Sequence, residues 1–290
     1  RDLYTALIQA GGTAPLAQIA RFELAETHAI REEWDPAIAL LAQVIDLEPA
    51  VELEEKARLR LGSCHLAKKE YEKSAAHFDA LTTSTKPLIA AEARQRGAEV
   101  WIAAGKWDNA VKQLIPLRDA EPLKNLPGVS DRGLLRLAYA LGRLQQWDAS
   151  RQACELLQQR FPQSPWGNEA RYAQAWALQG QGQHDPAVNT YRLVTQATAA
   201  EVGARSQLQI GVARSAQKRF PEALSELLIV PYTYDYPEPS AQALVEAAKV
   251  FVELKQPDRA IQLLKKVLQD YPQTTSAESA KTQLTALQPT

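Results

Sequence analysis

Methionine is missing from all 290 residues, position 1 included, so the chain reads as a processed or trimmed product. Any run of about 18 apolar residues is missing too, which excludes a membrane-spanning helix. No charged-then-apolar leader opens the sequence, so a signal peptide is either already removed or was never present. Charge of one sign is not in surplus: 33 Lys and Arg stand against 34 Asp and Glu, and a net −1 offers nothing to a nucleic acid. Cysteine occurs only at Cys64 and Cys154, which is neither a disulfide framework nor metal-ligand spacing and reads as two small core residues. Alternating β-branched runs closed by hairpin turns are absent, so no sheet is expected.

Catalytic motifs are lacking as well. The sequence holds no Walker loop, no His-Glu-x-x-His and no nucleophile elbow. Gly180-Gln181-Gly182 follows a helical pattern instead of a strand, so a phosphate-loop reading fails. The expectation is a chain without enzyme activity, cofactor or metal. Apolar residues at 46% and charged residues at 23% nevertheless mark a well-folded chain.

What the sequence does have is a repeat. A bulky residue with a small one three places later recurs at Trp34, Tyr71, Trp107, Trp147, His184, Phe220 and Pro257, at spacings of 37, 36, 40, 37, 36 and 37. Nine residues before these anchors stand Ala25, Gly62, Ala98, Ala138, Ala175, Gly211 and Ala248, every one Gly or Ala. Five residues further back are Ala20, Ala57, Ala93, Gly133, Ala170, Ser206 and Ala243. Pro49, Pro122, Pro162 and Pro272 follow the anchors by fifteen residues and read as helix stops, with Pro87 and Pro237 slightly displaced. Between columns the apolar residues follow i, i+3, i+4, i+7 spacing, so each unit is two helices joined by a short turn. Small residues let neighbouring helices approach closely, and no unit can bury its apolar face alone, so the units must stack. Cys64 and Cys154, two to three units apart, should then lie beyond bridging reach.

These columns resemble the tetratricopeptide repeat family over roughly residues 16–287. Phe161-Pro162-Gln163-Ser164 before Glu169-Ala170, and Tyr271-Pro272-Gln273-Thr274 before Ser279-Ala280, are similar to repeats of bacterial cell-envelope proteins of the outer-membrane assembly lipoprotein and Tol–Pal coordinator type. The resemblance implies an all-α, right-handed solenoid of about seven helix pairs in one continuous domain. Residues 16–273 supply the pairs. Residues 1–15 form an N-terminal helix, either a cap or the remnant of an earlier repeat, and residues 274–290 form a C-terminal capping helix and tail. It also implies a non-catalytic scaffold or adaptor that takes a protein or peptide in a concave groove. A periplasmic or envelope location follows from the same likeness, with the cytoplasm as the alternative. The rival reading is a structural protein whose repeats stack into homo-oligomers; the oligomeric state is open.

The groove residues that bind acidic chaperone tails in some members of this family are not matched. The corresponding pairs here are Phe22/Glu26, Leu59/Ser63, Gln95/Glu99 and Leu135/Tyr139. A different set stands out. Residues 125–217 hold nine Arg and no Lys against six acids, and Arg132, Arg136, Tyr139 and Arg143 share one helix face. Tyr172 and Trp176 lie on the next first helix. Arg with aromatics is the composition of peptide-recognition sites, which points to a partner with acidic and apolar residues. A second candidate contact is the Tyr232, Tyr234, Tyr236 segment between prolines. Arg21, Arg58, Arg94 and Arg171 recur in a column of their own and read as architectural. His28 and His65 share a column and read as core positions; His77 and His184 do not.

Overall fold

In the computed structural model, which describes residues 1–287, seventeen helices and no strand are found among the described residues. The chain forms two compact units, Arg1–Leu144 and the part from Gln145 onward, and the division falls in the turn of the fourth repeat.

Unit 1 contains α1 (Asp2–Gly11), α2 (Pro15–Ile30), α3 (Trp34–Asp46), α4 (Val51–Ala67), α5 (Tyr71–Asp79), α6 (Pro87–Ala103), α7 (Trp107–Asp119) and α8 (Ser130–Arg143). Unit 2 contains α9 (Trp147–Arg160), α10 (Gly167–Gly180), α11 (His184–Ala197), α12 (Glu201–Ala216), α13 (Phe220–Leu228) and the single turn α14 (Val230–Thr233). It continues with α15 (Pro237–Glu253), α16 (Pro257–Asp270) and α17 (Thr275–Leu287). Within each unit successive helices pack on one another, and first helices also touch first helices.

Every anchor is the first residue of its second helix. The small columns explain how the pairs close. A Cβ added to Gly62 would sit 2.5 Å from the Phe78 ring, and one added to Gly211 would sit 2.5 Å from Leu227 Cγ. Gly133 meets Leu117 in the same way. Ser74, three residues after its anchor, donates to the Gly62 carbonyl at 2.6 Å and so stitches α5 to α4. Ala25, Ala98, Ala138 and Ala175 are fully buried. Cys64 and Cys154 are free and buried, and burial pushes the Cys154 thiol up to about 12, which leaves it an inert packing group.

The turns share a device that no single column of the sequence advertises. Two residues before every anchor the backbone is left-handed, at Glu32, Lys69, Gly105, Gln145, Gly182, Lys218 and Lys255, with φ between 58° and 75°. After Glu32, Lys69, Gly105, Gly182, Lys218 and Lys255 the N–H of the following residue returns to a carbonyl five residues back, as from Glu70 to His65 and from Arg219 to Arg214. This pattern satisfies the last orphan carbonyls of the first helix and turns the chain into the second.

Two of the proline stops read differently in the structure. Pro87 and Pro237 open α6 and α15, because the first turn of a helix leaves its N–H groups unbonded and proline loses nothing there. Pro49, Pro122, Pro162 and Pro272 do follow helix ends. The longer loop after α7 is tied down by Leu123, which is buried, and by Ser130, whose hydroxyl donates to the Leu123 carbonyl at 2.5 Å. At the C-terminal end α17 buries Ala277 and Ala280, with Leu284 and Leu287 packed against the same cluster and polar residues outward. At the N-terminal end α1 buries none of its residues.

Candidate partner-binding faces

In unit 1, α2, α4, α6 and α8 form one face. Arg132 and Arg136 both reach Glu99 on α6, at 3.7 and 2.5 Å. Burial lowers the Arg136 pKa, opposed by the charge of Glu99. Gln95 beneath them is satisfied when its amide accepts from Arg136 Nη1 and donates to the Val129 carbonyl, both at 3.3 Å. Tyr139 stands edge-on to the anchor Trp107 with centroids 5.7 Å apart, and the Arg143 guanidinium lies 5.1 Å from the same ring. The four α8 residues thus form two groups, one around a carboxylate and one around an indole.

In unit 2, Tyr172 and Trp176 project from α10. Trp176 meets the anchor Trp147 at 5.4 Å, nearly perpendicular. Gly180 leaves room for that anchor, since a Cβ there would fall 2.6 Å from the Trp147 ring. Tyr172 packs on the buried Tyr191 at 5.5 Å and carries the Arg205 guanidinium over its face at 4.3 Å. The Tyr191 hydroxyl donates to Gln179, which donates to Gln209 at 3.2 Å. A recess of about 250 Å³ opens here, lined by Leu208 and Pro239 and by Tyr172, Glu201, Arg205, Gln209 and Gln242. Arg205, Gln209 and Gln242 were not singled out by composition; they lie fifteen, eleven and fifteen residues before their anchors.

Glu238 borders the same recess but is already engaged. It accepts from the backbone N–H and hydroxyl of both Thr275 and Ser276, at 2.6–3.1 Å, and so caps α17. The tyrosine segment divides. Tyr234 packs under the loop into the α12–α15 core, Tyr236 is half-buried, and Tyr232 is 81% exposed.

The remaining columns resolve into structure. Arg21 and Arg94 donate to the carbonyls of Gly12 and Thr82 in the preceding loops, whereas Arg58 and Arg171 bond within their own helices. His28 and His65 each pair through Nδ1 with the carboxylate five residues on, Glu33 and Glu70. Hydrogen bonds from His65 and Lys73 hold the Glu70 carboxyl down at about 2. His77, without a column partner in the sequence, stacks on His65 at 5.4 Å and 5°. No group of three or more metal-binding side chains occurs among the described residues.

Two sequence models of the tetratricopeptide repeat match the chain, one over residues 132–164, 169–197 and 242–274 and the other over residues 31–87. Together they cover more than half of it. The chain is a tetratricopeptide repeat protein. The structure of a tetratricopeptide repeat protein from Parabacteroides merdae aligns over 93% of this repeat chain and 98% of its own, at 15% identity and a TM-score of 0.68. Apo RapI aligns over 93% and 81%, at 11% identity and 0.66. A Rap protein complexed with competence and sporulation factor aligns over 93% and 80%, at 12% identity and 0.59. At such identities the likeness to these repeat proteins is one of fold. No curated protein matches this repeat chain in sequence. No helix among its described residues is long and apolar enough to cross a membrane.

Proposed function

We propose that the chain is a non-catalytic adaptor that holds a segment of a partner protein against the faces of its first helices, within a bacterial cell-envelope complex. Tetratricopeptide repeats generally serve protein–protein interaction, which is the established part of this reading. The observation that carries the finer part is the recess in unit 2, where an arginine stacked on Tyr172 and two amides share the lining with Leu208 and Pro239. Rings supply contact area at small entropic cost, a stacked guanidinium keeps its fork presented to a carboxylate, and amides read a peptide backbone. The partner segment is therefore extended, with apolar and acidic residues. The Arg132, Arg136, Tyr139, Arg143 group in unit 1 is proposed as a separate contact. The envelope location rests on the Phe161–Ser164 and Tyr271–Thr274 segments.

The test is a pull-down from a bacterial envelope fraction with wild type, a Tyr172→Ala/Arg205→Glu variant and an Arg136→Glu/Trp176→Ala variant, all checked for equal helicity. Loss of a specific partner in the first variant supports the recess, because a central aromatic anchor is worth about 2 kcal/mol or more. Equal recovery by all three overturns it and leaves the exposed Tyr232 as the contact to examine next. Self-assembly is favoured by one observation, the exposed apolar side chains Leu3, Leu16 and Ile19 around α1. Concentration-dependent sedimentation that disappears in Leu3→Glu/Leu16→Glu would establish that second reading.

A further inference from the structure

On the first-helix face of unit 1, an arginine stands eleven residues before three successive anchors, at Arg60, Arg96 and Arg136. Two of the three are held by a carboxylate from the preceding first helix, eight residues before that helix's anchor. Arg60 makes a two-pronged pair with Glu26, and Arg136 pairs with Glu99. The position that would serve Arg96 in the same register is Ser63, and its hydroxyl is turned back onto the Leu59 carbonyl at 3.0 Å. Arg96 is left with two long contacts inside its own helix, 3.5 Å to Glu92 and 4.0 Å to Glu99, and its side chain is 44% exposed. The ladder of cross-helix ion pairs therefore has one rung without its carboxylate.

That rung opens into a recess of about 400 Å³ bordered by Ser63 and Arg96, with Lys56 and Arg60 beside them and the half-buried rings and methyls of Phe22 and Leu59 as apolar wall. Glu26 and Glu92 also border it: both oxygens of Glu26 are taken by Arg60, and Glu92 lies one turn back on the helix of Arg96, 3.5 Å from its guanidinium. Three cationic side chains and two carboxylates thus line a space that lacks the cross-helix glutamate found beside Arg60 and Arg136.

We propose that a glutamate or aspartate side chain of an extended acidic peptide completes the ladder at Ser63, held by Arg96, with a neighbouring apolar residue of the peptide on Phe22 and Leu59. The inference rests on the adaptor reading and adds to it a second subsite, in unit 1, with a defined ligand chemistry. A guanidinium that already tolerates two long contacts gains a close, forked acceptor, in the geometry that its neighbour Arg60 adopts with Glu26. Lys56 adds attraction without fixed direction.

The probe is a pair of fluorescein-labelled decapeptides, one alternating Leu and Glu and its twin alternating Leu and Gln, titrated by fluorescence anisotropy against the full chain. The acidic peptide is expected to bind at least tenfold tighter than its twin, and the advantage to shrink as salt is raised. Ser63→Glu, which supplies the missing carboxylate from within, should weaken the acidic peptide at least tenfold while raising the melting temperature. Arg96→Gln should weaken it similarly with the fold intact, and it keeps the test open if Ser63→Glu does not fold. Equal binding of the two peptides, or wild-type affinity in both variants, overturns the subsite. A wild-type chain that retrieves its native partner yet fails this discrimination loses the subsite alone, whereas one that retrieves no partner loses the adaptor reading.

Discussion

In unit 1 the face built from α2, α4, α6 and α8 carries carboxylates and guanidiniums that answer one another across successive helices. In unit 2 the face built from α10, α12 and α15 carries rings and amides, with Arg205 laid on Tyr172 instead of on an acid. The repeat frame is common to both: small residues at the crossings, an anchor opening each second helix, a left-handed residue two places before it. Frame and face are thus written in different columns. The buried columns are held to Gly, Ala and Ser by the closeness of the helices, while the positions eleven and fifteen residues before the anchors, the buried Ala173 excepted, are at least partly exposed and free to differ from one unit to the other.

Removing an anchor from each unit tests whether the frame is equally shared and carries the largest expected effect. Trp107→Ala and Trp147→Ala should each cost about 3–5 kcal/mol in chemical denaturation, since each indole sits between helices of its unit. A loss below about 1 kcal/mol in either would mean that its anchor is not part of the packing. Next is the end cap of unit 2. Burial alone would raise the Glu238 pKa, but the donors of Ser276 and Thr275 outweigh it and hold the carboxyl below its ordinary value. Glu238→Ala should cost about 2 kcal/mol and speed hydrogen exchange in α17. Because the folded value lies below the ordinary 4.5, this stabilisation is present above pH 4.5 and is lost as pH falls through the folded value.

Unit 1 has its own pH dependence. Burial, then the charges of His65 and Arg58, lowers His77 to about 4 from an ordinary 6.5. The folded state therefore binds this proton less readily than the unfolded state. Its contribution is complete above pH 6.5 and declines as pH falls from 6.5 to about 4, by about 1 kcal/mol for a half-exposed ring. A urea series across that range should show the decline in wild type and lose it in His77→Phe. An unchanged slope would assign the decline to another group. The smallest effect is again shared by the units. Lys69→Gly and Lys218→Gly relieve a side chain held at φ near 60° and should each stabilise by about 0.5 kcal/mol. A loss in one but not the other would show that the turns differ after all.

The repeat could be read from the sequence because close helix crossings leave so little choice of side chain: only Ala, Gly and Ser recur there, and at Gly62, Gly133 and Gly211 even a Cβ would strike Phe78, Leu117 or Leu227. The turn device stayed hidden for the opposite reason. Its geometry is set by backbone hydrogen bonds, and five of its seven positions are occupied by Glu, Lys or Gln, with glycine only at Gly105 and Gly182. The same offset reasoning explains the faces. Arg132, Arg136, Tyr139 and Arg143 were legible as one helical stripe, but their partners Glu99 and Trp107 belong to the repeat before and are visible only when two columns are compared out of step. The stacking of His65 on His77 joins positions that no period relates, and only the folded chain reveals it.

The left-handed residue before each anchor also sets where the molecule can be cut and rejoined. A segment running from one such residue to the next begins and ends in the same backbone geometry, so it behaves as an exchangeable cassette. Excising residues 183–218 would join Gly182, already left-handed, to Arg219 and the anchor Phe220, recreating the turn that was removed. Chains of this kind can therefore lengthen or shorten by whole cassettes while every junction stays the same, and each insertion would bring a fresh outward face for selection to work on.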